Sequence, residues 1–234
     1  MRSVKTLAVM VAVLALSGAA HAVVIDYRID FEDYTTSLPD PGGNWNTIPT
    51  QTATGVPLTE FTTGLSTGVN LSIVKHVASW ASMSPANCWK TANPGPAWLD
   101  VNKYAVQDCF RGNWGLHATV TVSGLDTSKA YLVEVVGSYS TDPELCDYSV
   151  QGVGQQFNVG VQGYTNGQWM TWLNVVPTGP TGDIALVLGP AGSTNPAINA
   201  MRIYLEEAPP PIAEPAMLGL FGLTGLAARR RRRA

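Results

Sequence analysis

The chain has 234 residues, 45% of them hydrophobic and 13% charged, with a formal net charge of −3. Seven of its fourteen basic residues sit at the ends, as Arg2, Lys5 and five arginines from 229 to 233; between residues 23 and 213, seven basic side chains against sixteen carboxylates leave −9. An acidic body excludes nucleic acid as an expected partner and suits a domain that works outside the cytoplasm.

The first element is a targeting signal. Met1 to Lys5 is a short basic start, Leu7 to Leu16 is an apolar run, and Ser17 to Ala22 ends in small residues. Together these are the three parts of a signal peptide. Ala20 and Ala22 supply the A-x-A pattern that signal peptidase reads, which places cleavage after Ala22 and the mature start at Val23. A retained anchor is the alternative, but a span needs about 20 apolar residues and this run is shorter.

From Val23 the pattern alternates. Val23, Ile25, Tyr27, Ile29 and Phe31 share one face, and Val24, Asp26, Arg28, Asp30 and Glu32 share the other, which predicts a half-buried strand. At its end Asp30, Glu32 and Asp33 form an acidic cluster that is either solvated or holds a structural calcium ion through hard oxygens. Residues 33 to 66, rich in Thr, Pro and Gly, predict an irregular excursion, after which Val69, Leu71 and Ile73 resume the alternation. Residues 75 to 115 carry Trp80, Trp89, Trp98 and Trp114 with Cys88 and Cys109, and predict a long ordered loop. Three cysteines, the third being Cys146, suggest one disulfide in an exported chain, assigned to Cys88 and Cys109; their spacing fits no zinc site.

Further strands are predicted on Leu116, Ala118, Val120 and Val122; on Tyr131, Val133 and Val135; on Phe157, Val159 and Val161; and on Trp169, Thr171, Leu173 and Val175. Two more follow on Ile184, Leu186 and Leu188 and on Met201, Ile203 and Leu205, with Gly- and Asp-containing turns between. No stretch of the body has a helical period. The expectation is an all-β, jelly-roll-type β-sandwich over 23–206, after a signal segment at 1–22 and before a Pro-rich spacer at 207–213 and a sorting segment at 214–234. A signal helix and a short C-terminal hydrophobic helix would flank it.

Chemistry-bearing residues form no clear catalytic set. Glu134 lies on the polar face of its strand, Asp100, Asp108 and Asp147 lie in or beside loops, and no G-x-S-x-G accompanies His76 or His117. Carbohydrate binding is the sharper expectation, since sugars stack their C–H faces on aromatic rings. The tryptophan-rich loop offers such rings beside Asp100, Asn87, Asn93, Asn102 and Gln107, although the same tryptophans also suit a satellite core. On the 169–175 strand, Trp169 is expected in the core and Trp172 outside, as a second platform.

The tail is the most specific feature. After Pro209-Pro210-Pro211, the segment Ile212-Ala213-Glu214-Pro215-Ala216 leads into an apolar run from Met217 to Ala228, stopped by Arg229, Arg230, Arg231, Arg232 and Arg233. This arrangement resembles the PEP-CTERM sorting domain of exported Gram-negative proteins, with Ala213 standing where the first proline is expected. The resemblance implies recognition of Glu214 and Pro215 by an exosortase, which removes the helix and basic tail and delivers the body to the cell surface. Independently of any family, an apolar run closed by arginines keeps its basic end in the cytoplasm and its body across the inner membrane; a plain tail anchor, or a basic tail that binds nucleic acid, is the alternative.

A second resemblance lies in the body. Val122-Ser123-Gly124-Leu125-Asp126-Thr127-Ser128-Lys129-Ala130-Tyr131, then Tyr148-Ser149-Val150-Gln151-Gly152, and Ile198-Asn199-Ala200-Met201-Arg202-Ile203 look like the latter half of galactose-binding-like jelly rolls. That likeness implies a module that binds glycans, carries a structural calcium, or is inert. The expectation is therefore a non-enzymatic glycan-binding or structural module of an exopolysaccharide matrix, with a glycoside hydrolase or polysaccharide lyase on the same sandwich as its rival.

Overall fold

Alternating apolar side chains build most of the strands in the computed structural model, which describes residues 24–31, 43–76, 81–83, 96, 109–111, 118–139, 143–189 and 195–206. The sorting residues Ala20, Ala22, Glu214, Pro215 and Arg229 to Arg233, and both flanking helices, lie outside the described residues. Among the described residues no helix is long and apolar enough to cross a membrane.

In chain order the strands are β1 (Val24–Asp30), β2 (Asn46–Thr47), β3 (Ala53–Thr59), β4 (Ser66–Lys75), β5 (Ala81–Met83), β6 (Cys109–Arg111) and β7 (Ala118–Ser123). There follow β8 (Tyr131–Val136), β9 (Leu145–Val150), β10 (Val153–Asn158), β11 (Met170–Val175), β12 (Ile184–Leu188), β13 (Ala197–Ile198) and β14 (Ala200–Glu206). One sheet has the order β11-β8-β14-β1-β2, a second β10-β9-β12-β7-β4-β3, and a small third β13-β6-β5. β1 pairs with β2 in parallel, whereas β8 with β11 and β14, β9 with β10 and β12, β7 with β4 and β12, β3 with β4, and β6 with β5 and β13 pair antiparallel.

The two larger sheets form the expected jelly-roll-type β-sandwich. Tyr27, Ile29, Tyr131, Val133, Met201 and Ile203 from the first sheet share one core with Leu71, Val120, Val122, Tyr148, Leu186 and Leu188 from the second. A period of two turns alternate residues into the core, so the apolar face predicted for each of these strands is the one that packs there.

Two expectations are corrected. Within the 33–66 excursion the chain forms β2 and β3. β3 pairs with β4 through two register shifts, one spanning Ala53 to Val56 and one spanning Pro57 to Thr59, with Gly55 at φ +60°. Shifts of this kind erase the alternation, and Pro57 is tolerated because β3 is an edge strand. The strand expected through Phe157, Val159 and Val161 stops at Asn158, and Val159–Thr165 forms a π-helical turn. Asn158 ends the strand by capping: its Oδ1 accepts from the amides of Gly160 at 3.2 Å and Val161 at 2.8 Å, while its own amide donates to Gln162 Oε1 at 2.7 Å. This reciprocal pattern satisfies the amides that a helical turn leaves without partners.

Candidate functional site

β10 is the edge of one large sheet and β11 the edge of the other. The two edges are joined by side chains. Trp172 Nε1 donates to the Val153 carbonyl at 2.9 Å, and Gln155 Nε2 donates to the Thr171 carbonyl at 2.7 Å. Between these edges and the π-helical turn lies an open cleft of about 420 Å³, within the usual range for small-ligand sites. Gln155, Gln156, Gln162, Gln168, Trp169 and Thr171 line it, over the buried Phe157 and Met170.

The turn is pinned against the sandwich at Gly163. A Cβ there would stand 2.1 Å from the Gly137 carbonyl oxygen, so only glycine permits the approach that brings Gln162 to the cleft wall.

Which tryptophan faces the cleft is decided by a β-bulge. Met170 and Trp172 point into the core, Trp172 being 4% exposed. The β11–β8 register then shifts between Trp172 and Val175, where Asn174 takes φ +57°, and Val175 returns inward. Two residues, Leu173 and Asn174, thus separate two inward positions where regular alternation allows one, so counting back from Val175 in twos assigns every earlier residue to the wrong face. The expected outward Trp172 is a core residue, its indole N–H bonded to Val153; the expected core residue Trp169 is 36% exposed, and Leu173 is 72% exposed. Asn174, of a residue type that tolerates positive φ, was the available sign of the bulge.

Trp169 is anchored from behind. Its Nε1 donates to Glu134 Oε1 at 3.0 Å. Glu134 sits between inward Val133 and Val135, hence on the outer face of β8, directly across from Thr171 on one side and Arg202 on the other. Arg202 Nη1 approaches Glu134 Oε2 at 3.5 Å and binds Asp26 with Nε at 2.7 Å and Nη2 at 3.0 Å. Asp26 also accepts from Arg28 Nε at 3.0 Å, and Arg28 stacks on Phe61. This row of alternating charge runs across β8, β14 and β1, largely shielded from water, and holds the indole in one orientation.

Other carboxylates are likewise engaged. Glu144 receives Arg111 Nη2 at 2.9 and 2.8 Å and the Asn195 amide at 2.9 Å, while Asp147 accepts from Gln156 Nε2 at 3.0 Å. His76 Nε2 bonds Thr119 Oγ1 at 2.9 Å. Tyr148 exchanges hydrogen bonds with the backbone of Ala197, donating to its carbonyl at 2.8 Å and accepting from its amide at 3.0 Å. Burial, and then the neighbouring Cys146 and Cys109, push that phenol well above its ordinary value.

Trp80, Trp89, Trp98, Trp114, Asp100, Asp108, His117 and Cys88 lie outside the described residues. Cys109 is buried on β6 and Cys146 on β9. Of the proposed calcium ligands, Asp30 is buried at the end of β1, and Glu32 and Asp33 lie outside the described residues. Among the described residues no group of three or more His, Cys, Asp or Glu side chains could hold a metal ion. The five cleft residues Gln155, Gln156, Gln162, Gln168 and Trp169 were missed because they come from β10, the π-helical turn and the segment leading into β11. The recurrence of glutamine around one tryptophan between 155 and 169 was the only local signal.

No known protein family matches the sequence, and no curated protein matches it. Among solved structures, Bacteroides uniformis β-glucuronidase 2 covalently bound to cyclophellitol-6-carboxylate aziridine aligns with a TM-score of 0.40 and 9% identity over 76% of this chain; this chain spans 17% of the length of that protein. CBM35 from Paenibacillus barcinonensis aligns with a TM-score of 0.29 and 10% identity over 56% of this chain and 97% of its own. A family 35 carbohydrate-binding module from Clostridium thermocellum gives 0.28 and 12% over 56% and 97%.

Proposed function

We propose that residues 23–206 form a non-catalytic glycan-binding or structural module of an exported surface protein, and that its ligand lies in the cleft between β10 and β11. One observation carries this reading: a part-exposed indole, Trp169, held in place by Glu134 and ringed by Gln155, Gln156, Gln162 and Gln168. Aromatic faces receive the C–H faces of sugars, and amides match hydroxyls because each group both donates and accepts. Glu134 and Asp147, the carboxylates bonded to cleft residues, serve as anchors for Trp169 and Gln156 in place of an acid and base pair.

Export rests on the signal peptide at 1–22, and surface delivery on the PEP-CTERM-like tail; signal peptidase, an exosortase and an exopolysaccharide matrix are the proposed partners. Screening the purified chain on a glycan array tests the binding reading. Binding to at least one glycan, lost in Trp169→Ala, is expected, and silence across the array overturns it. Mass spectrometry of the protein released by cells tests processing: an intact tail through Ala234 counts against it.

A further inference from the structure

The polarity of the cleft specifies more than sugar binding in general. Resting on the reading of the cleft as a glycan site, we propose that it selects neutral polyhydroxyl chains over uronate-bearing or otherwise anionic ones. None of the residues that line the cleft carries a charge. The charges bonded to them are negative, Glu134 behind Trp169 and Asp147 beside Gln156. Three arginines of the sandwich are already held in ion pairs outside the cleft lining, Arg111 with Glu144, Arg28 with Asp26, and Arg202 with Asp26 and, at 3.5 Å, Glu134.

Three of the four amides are also oriented by their partners. Gln155 Nε2 donates to the Thr171 carbonyl and Gln156 Nε2 to the Asp147 carboxylate, both pure acceptors, so each amide oxygen is left to accept. Gln162 Oε1 accepts from the Asn158 amide, a pure donor, so its NH₂ group is left to donate. Acceptors on β10 and a donor on the turn together suit hydroxyl groups, which do both. A carboxylate only accepts. Placed here it would leave the oxygens of Gln155 and Gln156 without a donor, near two further carboxylates, with no cation among the described lining residues to offset its desolvation.

Affinity electrophoresis of the full chain through gels containing dextran, a β-1,3-glucan, alginate or polygalacturonate tests the inference. Retardation by a neutral polymer, at least about tenfold stronger than by either uronate polymer at low salt, is expected, the ratio of one charged hydrogen bond gained or lost. Stronger retardation by alginate or polygalacturonate overturns the neutral selectivity and leaves the glycan reading standing. Retardation by none of the four, with silence on the array, overturns the glycan reading itself. Retardation by a neutral polymer that persists undiminished in a folded Trp169→Ala chain, checked by circular dichroism, places the ligand elsewhere and also overturns the inference.

Discussion

Replacing Arg202 by methionine should destabilise the sandwich by about 3 kcal/mol, the low end of the range for removing one partner of a buried ion pair. The side chain of Asp26 is 4% exposed and that of Arg202 15%. Methionine keeps about the length of the aliphatic stem but deletes both bonds to Asp26 and the contact with Glu134. Arg28 still holds one Asp26 oxygen, which keeps the loss from reaching the top of the range. Urea unfolding followed by far-ultraviolet circular dichroism should show the midpoint falling by about 1.5 M with the slope unchanged, for a slope near 2 kcal/mol/M. Adding Asp26→Asn to Arg202→Met should recover part of the loss, because it removes the carboxylate left with too few partners. A cost below about 1 kcal/mol for Arg202→Met, the value of a solvated surface pair, would refute the view that this row of charges is shielded.

Trp172→Ala should cost about 3–5 kcal/mol by leaving a core cavity, whereas Leu173→Ser should change stability by no more than about 0.5 kcal/mol; unfolding curves giving the reverse order would return β11 to its simple alternation. Glu60 accepts from the amides of Asp26, Thr62 and Thr63. Burial pushes its carboxyl up, but the hydrogen bonds from Thr63 and Thr62 outweigh burial and hold it below the ordinary value of 4.5. The unfolded chain therefore takes up this proton first, and the stabilisation, complete above about pH 4.5, is lost as pH falls through the lower folded value. Wild-type protein should lose stability more steeply than Glu60→Gln in that window, and parallel pH profiles would show that Glu60 contributes nothing there.

β1, β4, β7, β8, β12 and β14 were legible because each turns every second residue into the core, so core-facing apolar residues recur with a period of two. β3 was not, because its register shifts break the period where an edge strand tolerates them. The turn after β10 was hidden by Val159 and Val161, which extend the alternation of Phe157 although Asn158 has already capped a turn. In β11 the apolar content was read correctly and its direction was not, since a bulge leaves composition unchanged while reversing the faces.

The amino-acid sequence alone determined the all-β class, the main core-facing residues and the acidic balance of the body, because these follow from local periodicity and from counting. Tertiary structure decided which tryptophan is buried and which is presented, and it assembled the cleft. β10 and β11 belong to different sheets, and their meeting depends on how the whole sandwich closes; no spacing along the chain carries that distance.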